Sequence, residues 1–355
     1  MAEPIAPNQT VRVVVAAPLA PELVERIAAV DPRVDVVADQ DLLPPMRHPA
    51  DFDGDPSWSR TPEQEARFEQ LIDTADVLYG IPDVTPSKLA RTVAANPKLR
   101  WVQTMAAGGG SQVVAAQLPD EAYERITFTT SAGVHGVPLA EWAIFGMFCG
   151  AKELPRLQRQ QRAHAWPDRV VGHPIEGSTA LVVGLGGIGQ QVAKRCKALG
   201  MTVLGVKRRV SDVENVDEVH ALDDLRSIVG RADHILLTLP GTPQTTHLID
   251  AAMLAAAKRG VTVVNVGRGT VIDEAALADA LGSGQVGFAA LDVFEVEPLP
   301  AESPLWDLEN LLVSPHSGGL DHREDERICE LFCDNLRAFL DGRELRNVVD
   351  PAQGY

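Results

Sequence analysis

The run Gly184-Leu185-Gly186-Gly187-Ile188-Gly189 constrains this chain more than any other stretch, because of what flanks it. The apolar, strand-like Thr179-Ala180-Leu181-Val182-Val183 precedes it directly, and a helix-like segment at residues 190–199 follows. Glycines at 184, 186 and 189 have the spacing of a dinucleotide-binding turn. One permits a tight turn, one lets the backbone approach a pyrophosphate, and one lets helix pack closely on strand. The amides opening the following helix would then face phosphates with a positive dipole end. Glycine-rich turns are common, so context decides. A second apolar strand, Thr202-Val203-Leu204-Gly205-Val206, arrives where a first βαβ unit should close.

A chain of 355 residues exceeds the size that one core usually serves, so two domains are expected. A formal net charge of -17 argues against a nucleic-acid partner and for a self-repelling surface. Residues 1–10 carry no basic segment followed by an apolar core, and no later apolar run is long enough to cross a bilayer. A cytoplasmic protein without a membrane partner is expected. Cys149, Cys196, Cys329 and Cys333 show no CxxC spacing. Cys329 and Cys333 are one helical turn apart, yet other ligands are missing nearby, so buried thiols rather than a metal site are expected.

Strand and helix patterns alternate from the start: strand at residues 11–16, helix at 22–30, strand at 34–37. Residues 41–61, with Pro44, Pro45, Pro49, Pro56 and several aspartates, interrupt the alternation as a surface excursion or an interface arm. A helix at 62–74 follows, with Thr61 as N-cap and Glu65 nearby. Strands at 75–79, 100–103 and 126–129 and a helix at 87–95 complete this part. The loop Met105-Ala106-Ala107-Gly108-Gly109-Gly110 either brings amides to a small anion or is a flexible connector.

Residues 131–178 read as a passage between domains, with an apolar helix-length segment at 139–151, a polar one at 152–165 and an irregular run at 166–177. Strands at 232–239, 261–266 and 286–291 then alternate with helices at 251–257 and 274–281. A long helix at 321–340 stops before Gly342 and is expected to return to the first domain. The expected fold is α/β with two doubly wound parallel-sheet domains. A Rossmann nucleotide domain at 135–319 is inserted in a flavodoxin-like substrate domain at 1–134 and 320–355.

Lys207, Arg208 and Arg209 end the strand after the glycine turn. An NAD-binding fold wants a carboxylate there for the ribose hydroxyls, whereas cations accommodate a 2'-phosphate. NADP(H) is the better fit, NAD(H) remains open, and a solvated basic turn is the plain alternative. Three later loops fall at the carboxyl edge of the second sheet, the edge that binds ligands in open α/β folds. They are Asn265-Val266-Gly267-Arg268-Gly269-Thr270, Leu291-Asp292-Val293-Phe294-Glu295-Val296-Glu297-Pro298 and Ser314-Pro315-His316-Ser317-Gly318-Gly319. Arg268 offers a planar fork for a carboxylate and adjacent carbonyl, His316 a proton for that oxygen, and Glu297 a partner for the imidazole. Singly they also read as an ion pair, a loop carboxylate and a satisfied histidine.

With these loops in order, joined by Trp101 and by Leu239-Pro240-Gly241-Thr242-Pro243, the chain resembles the D-isomer-specific 2-hydroxyacid dehydrogenase family, nearest its glyoxylate/hydroxypyruvate reductase branch. The resemblance implies reduction of a small 2-oxo acid to the D-2-hydroxy acid, with Arg268, Glu297 and His316 catalytic. It implies substrate contacts at Ala107, Gly108, Arg268 and, from a neighbouring subunit, Trp166. It assigns the cofactor to Gly184, Gly186, Gly187, Ile188, Gly189, Lys207, Arg208, Arg209, Leu239, Pro240, Thr245, Val266 and Asp292, with His316 beside it. A homodimer is implied, with residues 139–165 as the contact.

Two departures stand out: Gly110 replaces an aspartate common after the amide loop, and the Pro-rich stretch 42–58 is longer than in many relatives. The family also resembles nicotinamide-sensing transcriptional corepressors, a rival that the acidic charge and lack of long disordered arms weigh against. Phosphoglycerate dehydrogenase is a further alternative, although the short stretch after the last helix leaves no room for the regulatory domain many of them carry. Lys207 and its neighbours suit NADPH-linked reduction better than formate or phosphite oxidation.

Overall fold

The computed structural model describes residues 4–169 and 171–351. The chain divides into two compact units, Met1–Val134 with Leu320–Tyr355, and His135–Gly319.

The first unit contains β1 (Val11–Val15), α1 (Pro21–Ala28), β2 (Val34–Val37), α2 (Pro62–Ile72), β3 (Val77–Tyr79), α3 (Pro86–Ala95), β4 (Trp101–Gln103), α4 (Gly110–Ala115), α5 (Asp120–Arg125) and β5 (Thr127–Thr129). Its strands pair in the order β2-β1-β3-β4-β5, all parallel. β1 is buried apart from Arg12, as a central strand covered on both faces must be. One cover is the C-terminal helix Glu324–Leu340, whose Phe332 stacks on Trp101 at 4.7 Å and meets Tyr79 edge-on at 5.0 Å. Cys329 and Cys333 on that helix are buried with their sulfurs 4.0 Å apart. No metal-binding group of side chains is present among the described residues.

Thr61 caps α2 through a full capping box, but with Gln64 rather than Glu65. The Thr61 hydroxyl accepts from the Gln64 amide at 3.2 Å and the Thr61 amide donates to Gln64 Oε1 at 2.9 Å. Gln64 is the third helical residue, the position whose side chain reaches back to the cap. The Pro-rich stretch at 42–58 is held from inside. Buried Asp51 accepts Arg47 Nε and Nη2 at 2.7 and 2.8 Å, and the guanidinium holds that carboxyl down to about 2. Arg60, its side chain 5% exposed, donates to the Leu42 carbonyl at 2.6 Å, pairs with Asp83 at 2.8 Å and lies 3.6 Å over the Phe68 ring. The excursion is therefore fastened to the loop after β3. The short helices α4 and α5 carry too few turns to show an apolar period, so residue pattern alone did not foretell them.

The second unit contains α6 (Gly136–Ala151), α7 (Leu154–Arg162), β6 (Thr179–Val183), α8 (Gly187–Ala198), β7 (Thr202–Val206), β8 (Glu218–His220), α9 (Leu225–Ile228), β9 (His234–Leu237), α10 (Ala251–Ala256), β10 (Val261–Asn265), α11 (Glu274–Gly282), β11 (Val286–Leu291) and β12 (Leu311–Val313). The order β12-β11-β10-β9-β6-β7-β8 is again parallel throughout. The chain changes direction across the sheet between β6 and β9, which opens a crevice at their carboxyl ends. Helix α6 is covered on two faces. Gly146 and Gly150 let it close on Ala290 and Thr262 of the sheet, and Gly136 brings it against Gly187 of α8. No helix among the described residues is long and apolar enough to cross a membrane.

Candidate active site

The three glycines of the turn after β6 answer three different constraints. Gly184 has φ +101°, which a side chain would strain. A Cβ on Gly189 would lie 1.8 Å from the Gly184 carbonyl oxygen, so α8 can approach β6 only with glycine there. A Cβ on Gly186 would meet nothing within 4 Å. Packing within the protein does not demand that third glycine, whereas a group lying on the turn from outside would. The amides of Gly187, Ile188 and Gly189 open α8 behind it.

A cavity of about 540 Å³ adjoins this turn, lined by Gly186, Lys207, Arg208, Arg209, Ser211 and Leu239 among others. Lys207 Nζ donates to the Ser211 hydroxyl at 3.0 Å. The far wall is the Leu239-Pro240 turn, which Thr245 secures by donating to the Pro240 carbonyl at 2.8 Å and accepting the Thr242 amide at 2.9 Å. Gly267, next to buried Val266, permits the following loop to close on it, since a Cβ there would lie 2.4 Å from the Leu239 carbonyl oxygen. These residues fit a dinucleotide: glycine backbone and a helix start for its phosphates, with cations at the end of β7 beside them.

Arg268 follows β10 and is exposed. Buried Asn265 shapes its loop by donating to the Arg268 carbonyl at 2.9 Å and accepting the Gly267 amide at 3.0 Å. His316 follows β12 at φ +53°, half-exposed, with Nδ1 2.7 Å from Glu297 Oε2. An ionised carboxylate only accepts, so Nδ1 carries the proton of this bond and Nε2 is the ring nitrogen left for chemistry. Burial by itself would push Glu297 up; hydrogen bonds from His316 and the Phe294 amide, with the charges of His316 and Arg268, outweigh it and hold the carboxyl below its ordinary value. Arg268, Glu297 and His316 line one cavity of about 420 Å³.

Asp292 ties the histidine loop down. Its Oδ1 accepts the Ser314 hydroxyl at 2.6 Å and the amides of Ser317 and Gly318 at 2.9 and 2.8 Å, and its carbonyl accepts the His316 amide at 2.9 Å. Its Oδ2 is buried without a protein partner, an acceptor available to a bound carboxamide. Asn265, Ser314 and Ser317 also shape the site, beyond the roles their motifs suggest; their only signal in the sequence is a polar side chain between strand end and loop.

In the first unit, the amides of Ala107 and Gly108 donate to no described residue. Gly109 lets this loop fold tightly, since a Cβ there would sit 1.9 Å from Thr104 Oγ1, and Gly110 begins α4. Trp166 is wholly exposed and is not brought to the site by this chain. A separate groove of about 660 Å³ lies at the amino ends of β9 and β10 and contains Arg156, Arg159, Asp233 and Lys258. These cations are engaged by Glu153, Glu309 and Asp233, and the groove is at the edge away from the loops described above.

Residues 144–318 match the family described as D-isomer specific 2-hydroxyacid dehydrogenase, NAD binding domain. A glyoxylate reductase from Korarchaeum cryptofilum is 34% identical over 298 residues, covering 81% of this chain and 86% of that protein. A D-3-phosphoglycerate dehydrogenase from Mycobacterium bovis is 34% identical over 306 residues, covering 85% of this chain and 54% of that protein. The chain thus spans about half the length of the phosphoglycerate dehydrogenases it matches, 41% and 54% for two of them. Among solved structures, an NADPH-dependent glyoxylate/hydroxypyruvate reductase from Sinorhizobium meliloti, in complex with NADP and sulfate, aligns with TM-score 0.74 and 26% identity over 98% of this chain and 100% of that one.

Proposed function

The chain belongs to the D-isomer specific 2-hydroxyacid dehydrogenase family, and from that premise we propose that it is an NADPH-preferring reductase of a small, glyoxylate- or hydroxypyruvate-like 2-oxo acid. The observation that carries the chemistry is the His316–Glu297 pair, 2.7 Å apart, lining one cavity with Arg268. The cofactor preference is supported by Lys207, Arg208 and Arg209 beside the glycine turn, where a carboxylate would serve NAD. The NADP-bound relative supports it from outside.

In this reading the glycine turn and the start of α8 hold the cofactor phosphates, Leu239, Pro240, Thr245 and Val266 flank it, and Asp292 Oδ2 accepts from its carboxamide. The bound cofactor supplies a hydride to the substrate carbonyl carbon. Arg268 holds the carboxylate and polarises the carbonyl with its planar fork. His316 Nε2 gives a proton to the carbonyl oxygen, and Glu297 stabilises the imidazolium beforehand and keeps the ring oriented. The product is the 2-hydroxy acid, and the histidine regains its proton from water. In the first unit, the amides of Ala107 and Gly108 are assigned to the substrate carboxylate. A homodimer formed through residues 139–165 is inferred, supported by the exposed Phe145 of α6 and Leu157 of α7, with Trp166 serving the neighbouring copy.

Phosphoglycerate-type activity is the second reading, favoured by the Mycobacterium bovis relative. A panel of 2-oxo acids, including glyoxylate, hydroxypyruvate and a phosphorylated 2-oxo acid, assayed with NADPH and NADH side by side, separates the two. Fastest turnover of an unphosphorylated acid with NADPH is expected. Preference for the phosphorylated acid with NADH would replace the first reading by the second, and no turnover with any of them would overturn both.

A further inference from the structure

The loop that carries Glu297 is fastened at Glu295. Glu295 Oε1 accepts the Glu274 amide at 3.0 Å, while Glu274 Oε1 accepts the Glu295 amide at 2.6 Å. Each carboxylate thus clasps the other residue's backbone, joining the loop to the first residue of α11. The same Glu295 Oε1 lies 3.0 Å from His247 Nε2. His247 follows the Leu239–Thr245 turn and donates its amide to the Thr270 carbonyl at 2.8 Å. Glu295 and Thr270 both line the cavity that holds Arg268, Glu297 and His316.

This second histidine–glutamate pair parallels the first. His247 stands at φ +50° and His316 at φ +53°, and each is paired with a carboxylate from the same short loop. An ordinary residue held in the left-handed region has to be kept there by its surroundings. Gly269 adds a steric constraint, because a Cβ on it would fall 1.8 Å from the Phe294 carbonyl carbon. The Arg268 loop and the Glu297 loop therefore touch backbone to backbone at one point, and the next residue, Glu295, is hydrogen-bonded to Glu274, where the chain leaving the Arg268 loop starts α11. The Phe294 amide then closes on Glu297 Oε1 at 2.9 Å, so a shift of residues 294–295 passes directly to the partner of His316.

We propose that Glu295, with Glu274 and His247, is a positioning residue that holds Glu297, and through it the His316 imidazole, in register with Arg268. It rests on the reading of His316 as the general acid. A general acid misplaced by about an ångström loses on the order of a hundredfold in rate without loss of ground-state binding. A mere cap on α11 would instead be felt in stability.

The test uses the whole protein with NADPH and glyoxylate. Glu295→Ala is expected to lower kcat at least about tenfold, with KM for glyoxylate and the NADPH dissociation constant within about threefold of the parent and the unfolding midpoint nearly unchanged. Glu295→Gln keeps an acceptor oxygen for the Glu274 amide and is expected to return kcat to within about threefold of the parent. His247→Ala is expected to fall between them. Undiminished kcat in Glu295→Ala overturns the proposal, as does a fall in kcat matched by weakened NADPH binding and a lowered midpoint, which marks a structural cap alone. His316→Ala run in parallel separates the two layers. Parental turnover in that variant defeats the acid–base reading and this inference with it, whereas an inactive His316→Ala beside a fully active Glu295→Ala defeats this inference alone.

Discussion

Two histidines mark opposite ends of the seven-stranded sheet and have opposite environments. His316 follows the carboxyl end of β12, its side chain 51% exposed, with Nδ1 on Glu297. His234 opens β9, 5% exposed, flanked in register by Thr262 and Ala180, with Nδ1 lacking a protein partner. At the carboxyl edge the strands have ended, and loops can present a side chain to a cavity and bring a carboxylate to it. At the amino edge a strand's first residue is already core. Burial there strips the imidazolium of water and lowers the pKa to about 4, aided by Lys258 and opposed by Asp233. Position along the strand, rather than residue type, decides which histidine is exposed beside a carboxylate and which is buried and held neutral.

The carboxyl-edge residues carry the largest expected effects. His316→Ala is expected to lower turnover of glyoxylate with NADPH by about a thousandfold, the range of a lost general acid, while NADPH binding followed by fluorescence changes little. Parental turnover would remove the contrast altogether. Arg268→Ala should reduce kcat/KM by roughly a hundredfold, with KM raised as well, because a charged fork is lost from substrate and transition state alike. An unchanged KM would count against a carboxylate clamp.

The cations beside the glycine turn carry a smaller expected effect. Replacing Arg208 and Arg209 together by alanine is expected to weaken NADPH by about ten- to a hundredfold and NADH by less than about threefold, since charge-assisted bonds to a phosphate contribute about 1.5–3 kcal/mol. Equal losses for both cofactors, read from titrations side by side, would show that these cations do not recognise the 2'-phosphate.

Much of the fold was legible because its signals are local. Val-rich runs between helix-length segments specify buried parallel strands, and both sheets, of five and seven strands, are parallel throughout. The elements not foreseen, α4, α5, β8, α9 and β12, span three to six residues each, too short for a period to show. The family was legible from motif order. The supports of the site were not: Asp292 reaches Ser314, Ser317 and Gly318 across more than twenty residues, and Glu274 meets Glu295 from twenty-one residues away. Such pairings follow from strand order and from how closely Gly269 allows two loops to approach, neither of which a residue string displays.

The smallest expected effect tests the other end of the sheet. His234 is depressed from 6.5 to about 4 in the folded protein, so between those values the unfolded chain binds the extra proton. Stability is therefore complete above about pH 6.5 and is lost as pH falls toward 4. The full difference is on the order of 3 kcal/mol, somewhat under half of which would be lost between about pH 8 and pH 5.5. His234→Leu fills the site with an apolar side chain, so its urea midpoint should fall less than the parent's between those two pH values, with other titrating groups common to both. Glyoxylate reduction at neutral pH should be unaffected in the variant. An identical acid dependence in variant and parent would show that His234 is not held neutral by burial, and reduced activity at neutral pH would show that the amino edge is not purely structural.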